Sequence, residues 1–129
     1  MTYKVTAFPP QDTLLVVSVD NIKLAANGTY ESDVFTTDGF GKIIGYVYAS
    51  SGGELDFKVW QGPNEATGVS DMRTYSSRSS GDKYDPSSDP NTKNGWVVDV
   101  VAPRALVQLI DLSGSARTVE ELRVYLRRV

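Results

Sequence analysis

Hydrophobic and polar positions alternate most clearly in the second half of residues 41–61, GKIIGYVYASSGGELDFKVWQ, where Leu55, Phe57 and Val59 are apolar and Asp56 and Lys58 polar. A period of two turns one strand face toward a core and the other toward water, so this half reads as a half-buried antiparallel strand. Residues 43–49 are apolar on both faces. Ser50-Ser51-Gly52-Gly53 divides the halves, with glycines that accept the positive φ angles of a tight reversal. The stretch is expected to form a β-hairpin and the central pair of the fold.

The same pattern predicts the remaining elements. Leu14-Leu15-Val16-Val17-Ser18-Val19 is rich in β-branched residues and apolar on both faces, as in a strand covered on both sides, and residues 22–26 supply a second extended piece. Asn27-Gly28 fits a tight turn. Beyond it Tyr30, Ser32 and Val34 share one strand face and Glu31 and Asp33 the wet one, until Thr37-Asp38-Gly39 closes the strand. Residues 62–68 are dense in turn formers, residues 72–78 can form a strand, and the polar residues 79–94, with two prolines, make the longest loop. Asp99 marks the wet face of the next strand and places Trp96, Val98 and Val100 inward. Pro103 ends that strand, residues 104–112 supply another, and Ser113-Gly114-Ser115 turns the chain back.

Residues 117–129 fit two periods. Leu122, Val124 and Leu126 alternate as a strand, whereas Val119, Leu122, Tyr125, Leu126 and Val129 fit one helical face, and Thr118 with Glu121 matches a capping box. The strand is preferred, because without it residues 104–112 are left as an unpaired edge. The total is about eight short antiparallel strands, the pattern of an all-β fold with a single sandwich or jelly-roll domain over residues 13–129. Residues 1–12, with Pro9-Pro10, read as an extended N-terminal arm.

Composition narrows the function. With 129 residues, 40% of them apolar, the chain suits one domain with its own core. The 16 acidic and 13 basic side chains give a net charge of −3, which argues against a surface that neutralises phosphates. Arg117, Arg123, Arg127 and Arg128 cluster late in the chain, but Glu120 and Glu121 lie among them. There is no cysteine, which excludes disulfides and thiolate metal sites, and no histidine, which removes the commonest general base and metal ligand. No long apolar run follows a basic start, so a soluble, unprocessed chain without membrane partners is expected.

Candidate chemistry is sparse. Asp82, Asp85 and Asp89, with Asn91, could offer oxygens to calcium, yet they lack the close spacing and terminal acid of a calcium loop, and a solvated loop without metal is the preferred reading. Glu54 and Asp56 share a strand face as a glycosidase pair might, although sequence spacing does not create opposed carboxylates. Serines are abundant around residues 50 and 76–80, but no nucleophile elbow or activating histidine accompanies them. Gly39-Phe40-Gly41-Lys42 is too short for a phosphate loop, and Asn27-Gly28-Thr29, a glycosylation sequon, reads as a turn. Tyr46 and Tyr48 share a face and Trp60 stands outward on the neighbouring strand. Such a platform would stack sugar rings or, as we prefer, pack against another layer or subunit.

Three segments carry a resemblance. They are the strand that enters the glycine turn and leaves as Leu55-Asp56-Phe57-Lys58-Val59-Trp60 ahead of Gly62-Pro63-Asn64, the run from Val98 through Pro103-Arg104 to Leu109, and the Ser113-Gly114-Ser115 turn with Glu121-Leu122-Arg123-Val124-Tyr125-Leu126. In these the chain resembles the small β-sandwich virion proteins of tailed bacteriophages, of the head decoration (cement) type, over about two thirds of its length. Residues 79–94 depart from that pattern, being longer than the corresponding turn. The resemblance implies a non-enzymatic structural protein in the virion, without cofactors, homo-oligomeric and often trimeric, with a major capsid protein or other virion protein as partner. Arms of this kind can add strands to a neighbour's sheet. Residues 1–12 and 79–94 are expected to contact neighbouring subunits, and Tyr3, Val5, Phe8, Tyr46, Tyr48, Trp60 and Tyr84 are the expected interface residues. The rival from another class is a carbohydrate-binding module that uses the exposed aromatics.

Overall fold

The computed structural model describes residues 13–50, 52–75 and 94–128. These form nine strands: β1 (Thr13–Leu24), β2 (Thr29–Glu31), β3 (Phe35–Thr36), β4 (Lys42–Tyr48), β5 (Leu55–Gly62), β6 (Arg73–Tyr75), β7 (Asn94–Asp99), β8 (Arg104–Asp111) and β9 (Arg117–Arg127). A 3-10 turn, Val69–Asp71, precedes β6. Sheet A is four-stranded in the order β1-β9-β4-β7, and sheet B runs β2-β8-β5-β6 with β3 also pairing β8. All pairings are antiparallel. Counting β2 and β3 as one interrupted edge strand, this is an eight-stranded jelly roll, the expected all-β sandwich.

Alternation builds the core. On β4 Ile43, Gly45 and Val47 turn inward, on β5 Leu55, Phe57 and Val59, and on β9 Val119, Leu122, Val124 and Leu126, all buried. They join Val107 and Leu109 of β8 and Trp96 and Val98 of β7 in one cluster between the sheets. Asp99 is exposed and Trp96 and Val98 buried, as the alternation predicts.

The expected hairpin over residues 41–61 does not form. β4 pairs with β7 and β9, while β5 pairs with β6 and β8, so the two strands are inner members of opposite sheets. The glycines between them serve a crossing rather than a reversal. Gly52 has φ +100, and the Arg117 guanidinium fills the place a Cβ would take, 2.5 Å from it. Arg117 Nη1 then donates to the Gly53 carbonyl at 2.6 Å.

Two further expectations change. β1 is one continuous strand that includes residues 22–24, and it is an edge of sheet A with Leu14 and Leu15 about half exposed, not a strand covered on both sides. Its apolar residues fall on both faces because one face meets the core and the other carries part of an exposed stripe. Residues 117–127 are a strand, as preferred, but it pairs with β1 and β4 instead of protecting β8, which already lies between β2 and β5. The strand predicted over residues 72–78 is described only as β6, and the arm at residues 1–12 and the loop at 79–93 lie outside the described residues.

Polar side chains tie the crossings together. At one end Asp111, buried, accepts hydrogen bonds from the Asn27 N–H at 2.9 Å, the Ser113 N–H at 3.1 Å, the Ser113 hydroxyl at 2.6 Å and the Gly114 N–H at 3.2 Å, with Arg117 Nη1 at 3.4 Å. Burial pushes its carboxyl up, but the donors from Ser113, Asn27 and Arg117 outweigh burial and hold it at about 2. At the other end the buried Gln61 donates to the Asp99 carbonyl at 2.9 Å and accepts from the Val101 N–H at 2.8 Å, pinning the loop between β7 and β8. The interruption between β2 and β3 is mended by Ser32, whose hydroxyl accepts the Val107 N–H at 3.0 Å where a strand carbonyl would otherwise stand.

Candidate interaction face

Directly opposed residues in a sheet share a face, so the register reads out the outer surface of sheet A. Leu15 lies opposite Tyr125, Tyr125 opposite Ile44, and Ile44 opposite Val97. These four make an apolar row across all four strands, and its ends are open: Leu15 is 47% and Val97 48% exposed. The next row runs Ser18–Arg123–Tyr46–Gly95, and the one after it Asp20–Glu121–Tyr48. Tyr46, 47% exposed, meets the Tyr125 ring edge-on with centroids 6.3 Å apart. The first of these rows thus borders the apolar one on one side, and the row Thr13–Arg127–Lys42–Asp99 borders it on the other.

Arg123 is fixed in place. Its Nη1 donates to the Val19 and Leu122 carbonyls, each at 3.0 Å, and its Nη2 to Asp20 Oδ1 at 2.6 Å. The hydrogen bond it donates to Asp20 raises its pKa above the ordinary arginine value, against the opposing effect of burial. A held guanidinium presents its remaining edge at little entropic cost. Tyr46, Tyr48, Tyr125, Glu121 and Arg123 line a surface hollow of about 330 Å³.

Sequence reasoning placed Tyr46 and Tyr48 on one face, and they are. It also put Trp60 beside them, and this is overturned, because β4 and β5 belong to different sheets and the outer faces of those sheets look in opposite directions. Trp60 lies on sheet B opposite Leu106, packed against the cluster of Ala66, Met72 and Leu106, and its indole N–H donates to Gln108 Oε1 at 2.8 Å. The residues before β6 fold back over that face and half-bury the ring. Tyr125, Arg123, Leu15 and Val97 were missed as face residues. The signal for Leu15 and Val97 was apolar residues on the otherwise wet side of a strand. Tyr3, Val5, Phe8 and Tyr84 lie outside the described residues.

The other candidate chemistry gains nothing from the fold. Glu54 precedes β5, and Asp56 stands opposite Ile110 on sheet B. Asn27 occupies the turn, at φ 58. The aspartates at 82, 85 and 89 are outside the described residues, and among the described residues no group of three or more acidic side chains is close enough to hold a metal ion. Among them, too, no helix is long and apolar enough to cross a membrane. No protein-family model matches the chain, and no curated protein is significantly similar to it.

Proposed function

We propose that the protein is a non-enzymatic virion structural protein that decorates and stabilises a phage capsid by contact, with the outer face of sheet A as its docking surface. The observation that carries this reading is the row Leu15–Tyr125–Ile44–Val97, an apolar stripe spanning a whole sheet and bordered by Tyr46 and Arg123. Exposed apolar stripes with aromatic and arginine neighbours are characteristic of protein interfaces. The jelly roll adds support by analogy alone, since this architecture builds both capsid proteins and lectins. In this reading the partner is a major capsid protein or another virion protein, and the subunit is homo-oligomeric, with a trimer favoured.

A second reading, a sugar-binding module, has one observation in its favour. The hollow at Tyr46, Tyr48 and Tyr125 joins ring faces to Glu121 and Arg123, the mixture that a pyranose ring engages. One experiment separates the two. The purified protein is sedimented with capsids assembled from a tailed-phage major capsid protein, and run through gels containing polysaccharide. Capsid binding that is lost in the double variant Leu15→Asp, Val97→Asp supports the decoration reading; retardation by polysaccharide with no capsid binding overturns it.

A further inference from the structure

The two sheets do not close on each other at the side where β1 faces the interrupted β2–β3 edge. A groove of about 200 Å³ opens there, lined along β1 by the consecutive residues Val16 to Val19 and along the other edge by Tyr30, Ser32, Asp33, Val34 and Phe35. Consecutive residues of one strand line a groove when its edge, rather than one of its faces, borders the opening. Among the described residues β1 has no partner on that side within its sheet, so there its edge presents backbone donors and acceptors along the groove. The floor is apolar and continuous with the core: Val16, Val19, Tyr30 and Phe35 are partly buried against it. An extended segment with apolar side chains every second residue fits such a site, since it pairs with the rail and places alternate side chains on the floor.

The chain carries such a segment. Tyr3, Val5 and Ala7 alternate with Lys4 and Thr6 in the twelve residues that precede Thr13. We propose that residues 2–8 of one copy add as a strand to the free edge of β1 in a second copy, with Tyr3, Val5 and Ala7 against Val16, Val19, Tyr30 and Phe35. Docking onto the chain's own β1 would require a reversal through Pro9-Pro10-Gln11-Asp12, and a proline at the second corner is disfavoured in the commonest turn. Paired prolines favour an extended conformation over such a reversal. The linking residues 9–12, extended, span about 17 Å between the docked segment and Thr13, enough to cross to an adjoining copy. The inference builds on the reading of the protein as a subunit that works by contact, yet it uses a different surface from the outer face of sheet A.

The test uses the full chain. Light scattering is expected to give an oligomer for the native protein and a monomer for Val5→Asp, whose circular dichroism should be unchanged. A monomeric native protein, or a Val5→Asp variant that remains oligomeric, overturns the proposal. The chain has no cysteine of its own, so single cysteines can be introduced cleanly. A Val5→Cys chain mixed with a Val16→Cys, Ser18→Cys or Val34→Cys chain should give a disulfide-linked heterodimer in at least one pairing. No heterodimer in any pairing, or a closed single chain when Val5→Cys is combined with a groove cysteine in one molecule, overturns it. Leu15→Asp, Val97→Asp alters capsid binding alone, so failure here and failure of the decoration reading are separable.

Discussion

The ring of Phe57, on β5, rests directly on the backbone of Gly45, on β4 of the facing sheet. A Cβ at Gly45 would stand 2.5 Å from the tip of that ring, which is itself buried and stacked on Trp96 with centroids 4.7 Å apart and planes 18° from parallel. The stack fixes the ring, so the sheet must supply the space.

Gly45→Ala is therefore expected to destabilise the fold by about 1–3 kcal/mol, the usual cost of overpacking a filled core. Chemical denaturation checks this. Pairing Gly45→Ala with Phe57→Leu should recover part of the loss, because the shorter side chain withdraws from the new methyl group.

Asp111 sets an acid limit on stability. Its folded carboxyl titrates at about 2, below the ordinary value of about 3.9, so its contribution is fully present above about pH 4 and is lost as the pH falls toward 2. Asp111→Asn should flatten that limb in melts taken across the range. A weaker acid slope should remain, since Glu120 is also held below its usual value: burial raises it, and its hydrogen bonds from Ser50 outweigh burial. Asp111→Ala, which strips the buried Arg117 of this carboxylate, should cost about 3–5 kcal/mol.

Trp60 and Tyr46 should separate in their effects. Trp60→Ala removes the cover of Leu106 and Met72 and should cost about 2–4 kcal/mol while leaving capsid binding intact. Tyr46→Ala, at an exposed position, should change stability by about 1 kcal/mol or less and weaken capsid binding.

Ser32→Ala leaves the buried Val107 N–H without its acceptor and should cost about 1–3 kcal/mol, measured by denaturation. Ser32→Thr, which keeps the hydroxyl, should retain most of the stability.

Strand positions were legible wherever one face is wet, as in Leu55 to Trp60 and Trp96 to Asp99, because burial on a single face leaves a period of two in the residues. Which strands pair was not. Ser50-Ser51-Gly52-Gly53 carries the same residues a hairpin would, but here Gly52 admits the Arg117 guanidinium from β9, a partner distant in sequence. The strand at 117–127 was identified for the wrong neighbour for the same reason. The interaction face was half legible: Tyr46 and Tyr48 lie two apart on one strand, whereas Tyr125 and Arg123 come beside them only through the register of β4 on β9. Asp111-Leu112-Ser113-Gly114 did hold a local sign of its role, an aspartate whose side chain caps the turn that follows.

Among the described strands, β5 and β6 are the only chain neighbours that pair with each other; every other pairing joins strands separated along the chain. β9 sits between β1 and β4, so the earliest strand of sheet A acquires its partner from the latest one. During synthesis, then, β1 and β4 wait with open edges until the ribosome has released residues 117–127. Topologies of this kind fold slowly and expose their strands meanwhile. A chain cut before β9 would lose the middle of sheet A and should accumulate as aggregate, so the yield of folded protein should depend on how quickly β9 follows β1 and β4.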